Sequence, residues 1–289
     1  MIYTISKGDI TASVNSLGAE LYSLKKGETE YLWQGNPAYW NGRAYNLFPI
    51  VARLTGETYT YQGNTYKMAI HGFVRKTEMQ VSAHTKTSIT FTMTDSEATR
   101  VSYPFAFRFS VRFTITKKGL KVSYVTQNTG KETLPFSVGV HPGFNVPLTK
   151  GEGFEDYKIV FPQGATPMLV EMSNDCFVMN GRTPLCLNSA NELALKHSLF
   201  DHDALVLQNA GSTVSLVGKS GSGVTVEYAG LKYLGIWHKP QTDAPYVCLE
   251  PWASLPTRLG TTDDFATKPD FTHLAPGKTK TFAYTIIPF

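Results

Sequence analysis

One carboxylate in this chain stands where a core residue is expected. In Val247-Cys248-Leu249-Glu250-Pro251-Trp252 a strongly apolar, strand-like run leads into Glu250. Carboxylates are rarely left buried without a partner, and an apolar setting moves their pKa toward neutrality, which suits them to proton transfer. Glu250 is therefore the first candidate for a general base. The plainer alternative for this segment is a strand-end glutamate that hydrogen-bonds a neighbouring loop.

Four further segments place polar groups at the edge of an apolar stretch. Asn46-Leu47-Phe48-Pro49-Ile50-Val51-Ala52-Arg53 ends on a guanidinium, a rigid fork of donors suited to hydroxyl, carboxylate or phosphate oxygens. Met68-Ala69-Ile70-His71-Gly72-Phe73-Val74-Arg75 gathers an imidazole, a glycine that lets the backbone approach a ligand, an aromatic wall and a second guanidinium. Phe136-Ser137-Val138-Gly139-Val140-His141-Pro142-Gly143 ends an apolar run on His141, whose backbone is restricted by the following proline. A fixed histidine that titrates near neutrality can donate or accept a proton. In Leu199-Phe200-Asp201-His202-Asp203-Ala204 two carboxylates precede a new apolar strand, where either could accept hydrogen bonds from hydroxyls or simply cap local backbone donors. His84, His197, His202, His238 and His273 lack such settings and read as structural or solvated.

Other chemistries are disfavoured. His71, His141 and a carboxylate could in principle hold zinc, but no local ligand spacing such as HExxH is present, so no metal is expected. There is no G-x-S-x-G nucleophile elbow and no phosphate loop leading into a helix. Gly218-Lys219-Ser220-Gly221-Ser222-Gly223 resembles such a loop in composition only and lies between two strand patterns, which predicts a hairpin. Cys176, Cys186 and Cys248 are an odd set without a CxxC pair, so neither a disulfide framework nor a thiolate zinc site is expected. The net charge of +4 over 289 residues is small and scattered, which argues against nucleic acid as a partner.

The elements that must hold these groups are strands. Period-two alternation marks Ile89 to Met93 and Phe107 to Ile115, and β-branched or aromatic runs mark Leu120 to Gln127, Thr213 to Val217, Val224 to Tyr228 and Thr281 to Ile286. Helical periodicity is scarce, with single turns expected at Pro37 to Trp40 and Asn191 to Phe200. With 24 glycines and 16 prolines punctuating short strands, the expected fold is an all-β antiparallel sandwich with few short helices. No linker, low-complexity tract or fixed-period repeat divides the chain, so residues 1-289 are expected to form one domain. The N-terminus alternates apolar and polar residues rather than forming a signal peptide, and no apolar run reaches the roughly 18 residues of a membrane span. A cytoplasmic protein without a membrane partner is expected.

Taken together, Leu17-Gly18-Ala19-Glu20-Leu21-Tyr22-Ser23-Leu24, Phe48 to Arg53, His71 to Arg75, Val138 to Phe144, Asp203-Ala204 and Leu249-Glu250-Pro251-Trp252 resemble, in order and spacing, the aldose 1-epimerases of the galactose mutarotase-like superfamily. Within it, the chain is most similar to the mutarotase-like proteins found with bacterial lactose-utilisation genes. The resemblance implies a supersandwich with an open sugar cleft and no cofactor. It implies Glu250 as base, His141 as acid, His71 near the ring oxygen, Arg53 on sugar hydroxyls, and Asp203, or the nearby Asp201, as a hydroxyl ligand. One departure stands out: Phe73-Val74-Arg75 follows His-Gly where galactose enzymes carry a second glycine. The His-Gly-Phe-x-Arg form is similar to that of hexose-6-phosphate mutarotases, so Arg75 is expected either to contact a phosphate or to orient an acid.

The expected activity is interconversion of the α and β anomers of an aldohexose by general acid/base ring opening and reclosure. Alternatives are a hexose-6-phosphate mutarotase, a non-catalytic carbohydrate-binding protein, and a sandwich module of a polysaccharide lyase or glycosidase. A monomer or homodimer is expected.

Overall fold

A computed structural model describes all residues, Met1–Phe289. Two large antiparallel sheets dominate it. One has nine strands, in the order Glu192–Ala194, Tyr157–Val160, Thr213–Gly218, Gly223–Glu227, Thr279–Pro288, Leu120–Asn128, Phe107–Ile115, Ser88–Thr94 and Gln80–His84. The other has seven, in the order Val178–Pro184, Met168–Met172, Leu205–Gln208, Tyr233–Trp237, Tyr246–Trp252, Gly139–Asn145 and Ala44–Leu47. A four-stranded sheet built from residues 2–30 adjoins them.

Alternation explains how the sheets pack. In Phe107–Ile115 every second residue, Phe107, Phe109, Val111, Phe113 and Ile115, is buried, while Arg108 and Arg112 are exposed. This strand therefore has one dry face and one wet face, as its sequence predicts. The Tyr246–Trp252 strand is buried at every position. Val247 and Leu249 join the main core with Val140, Leu234 and Ile236, whereas Cys248, Glu250 and Trp252 lie on the opposite face. That second face is roofed by loops and aromatic side chains. A period-two strand covered on both sides reads as a continuous apolar run, which is why a carboxylate in it is conspicuous.

The expected strands and hairpin form as predicted: Gly218–Gly223 turns between two paired strands, closed by Gly218 N–H donating to Ser222 O at 2.9 Å. Trp40 N–H donates to Asn36 O, closing the single turn expected at Pro37 to Trp40. Residues 191–200 are not one helical turn; they divide into strand Glu192–Ala194 and a 3₁₀ turn, His197–Phe200. Backbone pairing with Tyr157–Val160 claims the first half. The one α-helix, Glu97–Ser102, was not expected; Ser96 and Thr99 cap it reciprocally through their hydroxyls.

The Leu17 to Leu24 segment braces the site from behind. Gly18 adopts φ +70° with Arg75 Cα only 3.0 Å from where a Cβ would stand, so a larger residue would push the Arg75 backbone away. Glu20 Oε1 accepts from the Arg43 and Ala44 N–H groups, which ties down the start of the edge strand Ala44–Leu47. Asn46, buried in that strand, donates to Gly18 O and Ala19 O and accepts from Tyr124 OH at 2.6 Å. No polar atom of its side chain is left unpaired, so this cross-link through the core costs little desolvation.

Candidate active site

Cross-strand register brings the acid and base candidates together. Gly139 pairs with Trp252 and Gly143 with Cys248, and that register sets His141 opposite Glu250 on the roofed face. On its other side His141 pairs with Tyr45. His141 Nε2 lies 3.4 Å from Glu250 Oε1, too far for a strong hydrogen bond but within easy adjustment once a substrate enters. Room for this comes from Gly235, which pairs with Glu250: a Cβ there would stand 2.9 Å from the Trp252 ring and 3.3 Å from Glu250 Cβ.

His141 is held by rings rather than by hydrogen bonds. Trp40 lies tilted against it at 4.7 Å between centroids, and Trp237 and His71 meet it edge-on at 5.4 and 5.7 Å. Its Nδ1 and the Oε2 of Glu250 are buried without a hydrogen-bond partner. Glu250 has no lysine or arginine at ion-pair distance; His141 is its sole such neighbour. Burial pushes the Glu250 carboxyl well above the usual carboxylate range, reinforced by the negative charge of Asp203 and opposed only by the Trp252 indole. Burial, with the positive charge of Arg75, brings the His141 imidazole down to about 3, against the pull of its own backbone. The dry pocket thus favours the uncharged form of the pair in the free protein.

His71 is placed by the chain on which it sits. Gly72 has φ +72°, and a Cβ there would stand 2.2 Å from Phe48 O, so only glycine permits the parallel bridge between Phe48 and Gly72. His71 N–H donates to Ala52 O at 2.7 Å, and Ala52 N–H donates to His71 Nδ1 at 3.1 Å. The second bond leaves the imidazole proton on Nε2, fixing the tautomer. Burial, the adjacent His141 and the two arginines hold this imidazole well below its ordinary pKa. Phe48 anchors the whole arrangement by stacking on Phe109 at 4.2 Å. Eleven residues other than glycine have positive φ, and four of them, Ala52, His71, Cys176 and Asp203, line the same cavity. Such conformations cost about 1–3 kcal/mol each and are retained where side chains must be aimed.

That cavity has a volume of about 290 Å³, at the small end for ligand pockets. Glu250, His141, Arg53, His71, Arg75 and Asp203 all line it, although they come from five separate stretches of chain. Asp201 does not; it is exposed, two residues before the strained φ +80° of Asp203. Asp203 Oδ1 accepts from Ala204 N–H, and its Oδ2 accepts from Cys176 Sγ at 3.0 Å. Burial and this hydrogen bond push the Cys176 thiol up to about 12, so it stays a donor. Neither Arg53 nor Arg75 forms an ion pair or a side-chain hydrogen bond. Arg75 leans over the Tyr45 ring at 5.5 Å with its buried Nε unpartnered, and it makes no contact of hydrogen-bond length with Glu250. The apolar walls are Trp40, Tyr45, Met172, Trp237 and Trp252.

Several of these lining residues have no signal in the sequence. Cys176 and His202 reach the cavity only through loop placement, and Met172 from the end of its strand. Trp40 and Trp237 could have been suspected as aromatic platforms beside polar candidates, but nothing local says which way they face. Among other acid and imidazole groups, His238 is buried away from the cavity, donating from Nδ1 to Lys239 O and accepting from His197 Nδ1 at 3.1 Å.

The chemistry available is proton transfer at two adjacent atoms in a small, aromatic-walled pocket carrying two unpaired guanidinium groups. The model of the family described as aldose 1-epimerase matches residues 1–286. The chain is 33% identical over 288 residues to "Protein LacX, chromosomal" of Lactococcus lactis subsp. lactis, covering 96% of each. A galactose mutarotase related enzyme from Lactobacillus acidophilus superposes with a TM-score of 0.93 at 35% identity, covering 100% of this chain and 97% of that one. A galactose mutarotase-like protein from Lactobacillus casei gives 0.94 at 29% identity with complete coverage of both.

Proposed function

The chain belongs to the aldose 1-epimerase family, and from that premise we propose that it interconverts the α and β anomers of an aldohexose, with Glu250 as general base and His141 as general acid. The observation that carries this reading is the His141 Nε2 to Glu250 Oε1 approach of 3.4 Å, buried at the wall of a sugar-sized cavity, with an unpartnered outer atom on each side chain.

The reaction needs no cofactor. As the sugar binds, the proton moves from Glu250 to His141 across their 3.4 Å approach; ionised Glu250 then takes the proton from O1 while His141 delivers one to the ring oxygen, and the ring opens to the aldehyde. Rotation about C1–C2 exposes the other carbonyl face, and reclosure with the roles reversed gives the opposite anomer. The two oxygens share one carbon, so an acid and a base a few ångströms apart can serve both. Ionised Glu250 with protonated His141, and protonated Glu250 with neutral His141, hold the same number of protons. Opening and closing the ring therefore require no net exchange with solvent. Each catalyst contributes about 10²- to 10⁴-fold, enough for a reaction that already proceeds in water. Arg53 and Asp203 hold hydroxyls, His71 offers its Nε2 proton near the ring oxygen, and the tryptophans cover the apolar faces of the ring. We also read residues 1-289 as one domain, which the core cluster of 60 residues running from Ile5 to Ile286 supports.

A second reading, a hexose 6-phosphate as substrate, is favoured by one observation: Arg75 faces the cavity with no carboxylate paired to it. Saturation-transfer NMR on α-glucose, α-galactose and glucose 6-phosphate tests both. Exchange accelerated above buffer for at least one of them is expected. If none is accelerated, anomerase activity on these sugars is refuted, and binding without exchange would identify a carbohydrate-binding protein instead.

A further inference from the structure

The register that opposes His141 to Glu250 also opposes Gly143 to Cys248. Glycine at that position leaves room for the thiol: a Cβ on Gly143 would stand 3.4 Å from Cys248 Sγ and 3.1 Å from the Trp33 and Trp40 side chains. One ligand atom each from His141, Cys248 and Glu250 lies within 4.8 Å of the others. All three residues are at most 8% exposed. His141 Nδ1 and Glu250 Oε2 have no hydrogen-bond partner, and no lysine or arginine neutralises the carboxylate.

These are the ligand types of a nitrogen, oxygen and sulfur zinc site, gathered from two neighbouring strands. Tetrahedral zinc, with bonds of about 2.0–2.1 Å to nitrogen and oxygen, sets those two ligands about 3.3 Å apart. His141 Nε2 and Glu250 Oε1 already stand at 3.4 Å, and the thiol has about an ångström to travel to complete the third bond. His141 and Glu250 also line the cavity, which offers an entry path and room for water as a fourth ligand.

We propose that His141, Cys248 and Glu250 form a binding site for zinc or a similarly thiophilic divalent cation, and that occupation of this site blocks sugar turnover. The ion is an inhibitor rather than a participant, because it occupies the same nitrogen and oxygen that move protons in the reading above. Binding is independent of that reading; only the inhibition rests on it.

The test uses full-length, untagged, chelator-treated protein. Calorimetric titration with zinc and absorption titration with cobalt are expected to give one ion per chain and a thiolate-to-cobalt charge-transfer band. Cys248→Ala and Cys248→Ser should abolish the band and weaken zinc at least tenfold, while thermal melting confirms that each is folded. Zinc should suppress anomer exchange in the wild type, reversibly with chelator, and far less in either variant. Diffraction from zinc-soaked crystals provides a readout that needs no variant: an anomalous peak among the three side chains is expected. Its absence, a peak elsewhere, or unchanged zinc affinity in folded Cys248→Ala overturns the proposal. A cobalt band without anomer exchange by the wild type would sink the enzymatic reading while leaving the metal site standing.

Discussion

Replacing Glu250 with glutamine changes one atom of the proposed base and almost nothing of its shape. The amide keeps a hydrogen-bonding oxygen toward the sugar but cannot accept a proton at neutral pH. Loss of a general base lowers turnover about 10²- to 10⁴-fold, equivalent to about 3–5 kcal/mol of transition-state stabilisation. The effect should fall on kcat, with KM little altered, since Arg53, His71 and Asp203 still line the pocket. Stability provides an internal control. Glu250 is 1% exposed and its pKa in the folded chain is raised. Above the ordinary carboxylate value of 4.5 the unfolded chain has lost this proton while the folded chain retains it. Wild-type stability therefore falls as pH rises from 4.5 toward the raised value, and glutamine removes that penalty. Melting of Glu250→Gln should match the wild type near pH 4.5 and exceed it by more as pH rises toward the raised value. Anomer exchange measured by NMR at saturating and limiting sugar supplies kcat and KM. Activity within threefold of wild type would refute Glu250 as the base, and a variant less stable than wild type at pH 8 would refute the account of its burial.

Arg53→Ala should raise KM by about ten- to a hundredfold with a smaller effect on kcat, the scale of a lost charge-assisted hydrogen bond; unchanged KM would remove Arg53 from the sugar site. Arg75→Ala should raise KM for glucose 6-phosphate more than for glucose, and any wild-type preference for the phosphate should weaken with salt; equal losses on both sugars would exclude a phosphate role. Gly72→Ala should cost at least about 2 kcal/mol, read as a fall in denaturant midpoint, because the Cβ meets Phe48 O at 2.2 Å and φ is +72°. Acid should destabilise the fold well before ordinary carboxylates titrate. His141 and His238 titrate at about 3 and about 4 when folded, and His71 is lowered as well, so below pH 6.5 the unfolded chain takes up protons that the native one refuses. Each such histidine removes up to about 1.4 kcal/mol per pH unit on descending from 6.5, and Glu250 offsets one of them over part of that range. Calorimetry should show the melting temperature falling steeply between pH 6.5 and 4; a flat profile would refute the buried neutral histidines.

Strand identity was written locally, because which residues face the core is a matter of alternation along a few neighbours. Phe107 to Ile115 shows its buried and exposed faces in its own sequence, and the Gly218 to Gly223 turn shows its glycines. The chemistry of Glu250, His141, His71 and Arg53 was legible for a similar reason: each interrupts or ends an apolar run, the first three beside a residue that restricts or frees the backbone. What alternation cannot encode is which strands pair and which loops fold over them. The opposition of His141 to Glu250 joins residues distant in the chain, and it depends on register set by packing across two sheets. The choice between Asp201 and Asp203 at the cavity wall turned on a backbone at φ +80° that only the surrounding loops hold. Cys176 on Asp203, Trp40 on His141 and Cys248 beneath the acid–base pair have no trace in local pattern, since each is a contact between distant segments. The sequence by itself determined which groups are present and on which strand faces they stand. Tertiary structure alone decided their distances and their dryness, because both come from long-range pairing and from the exclusion of water that only the assembled sheets provide.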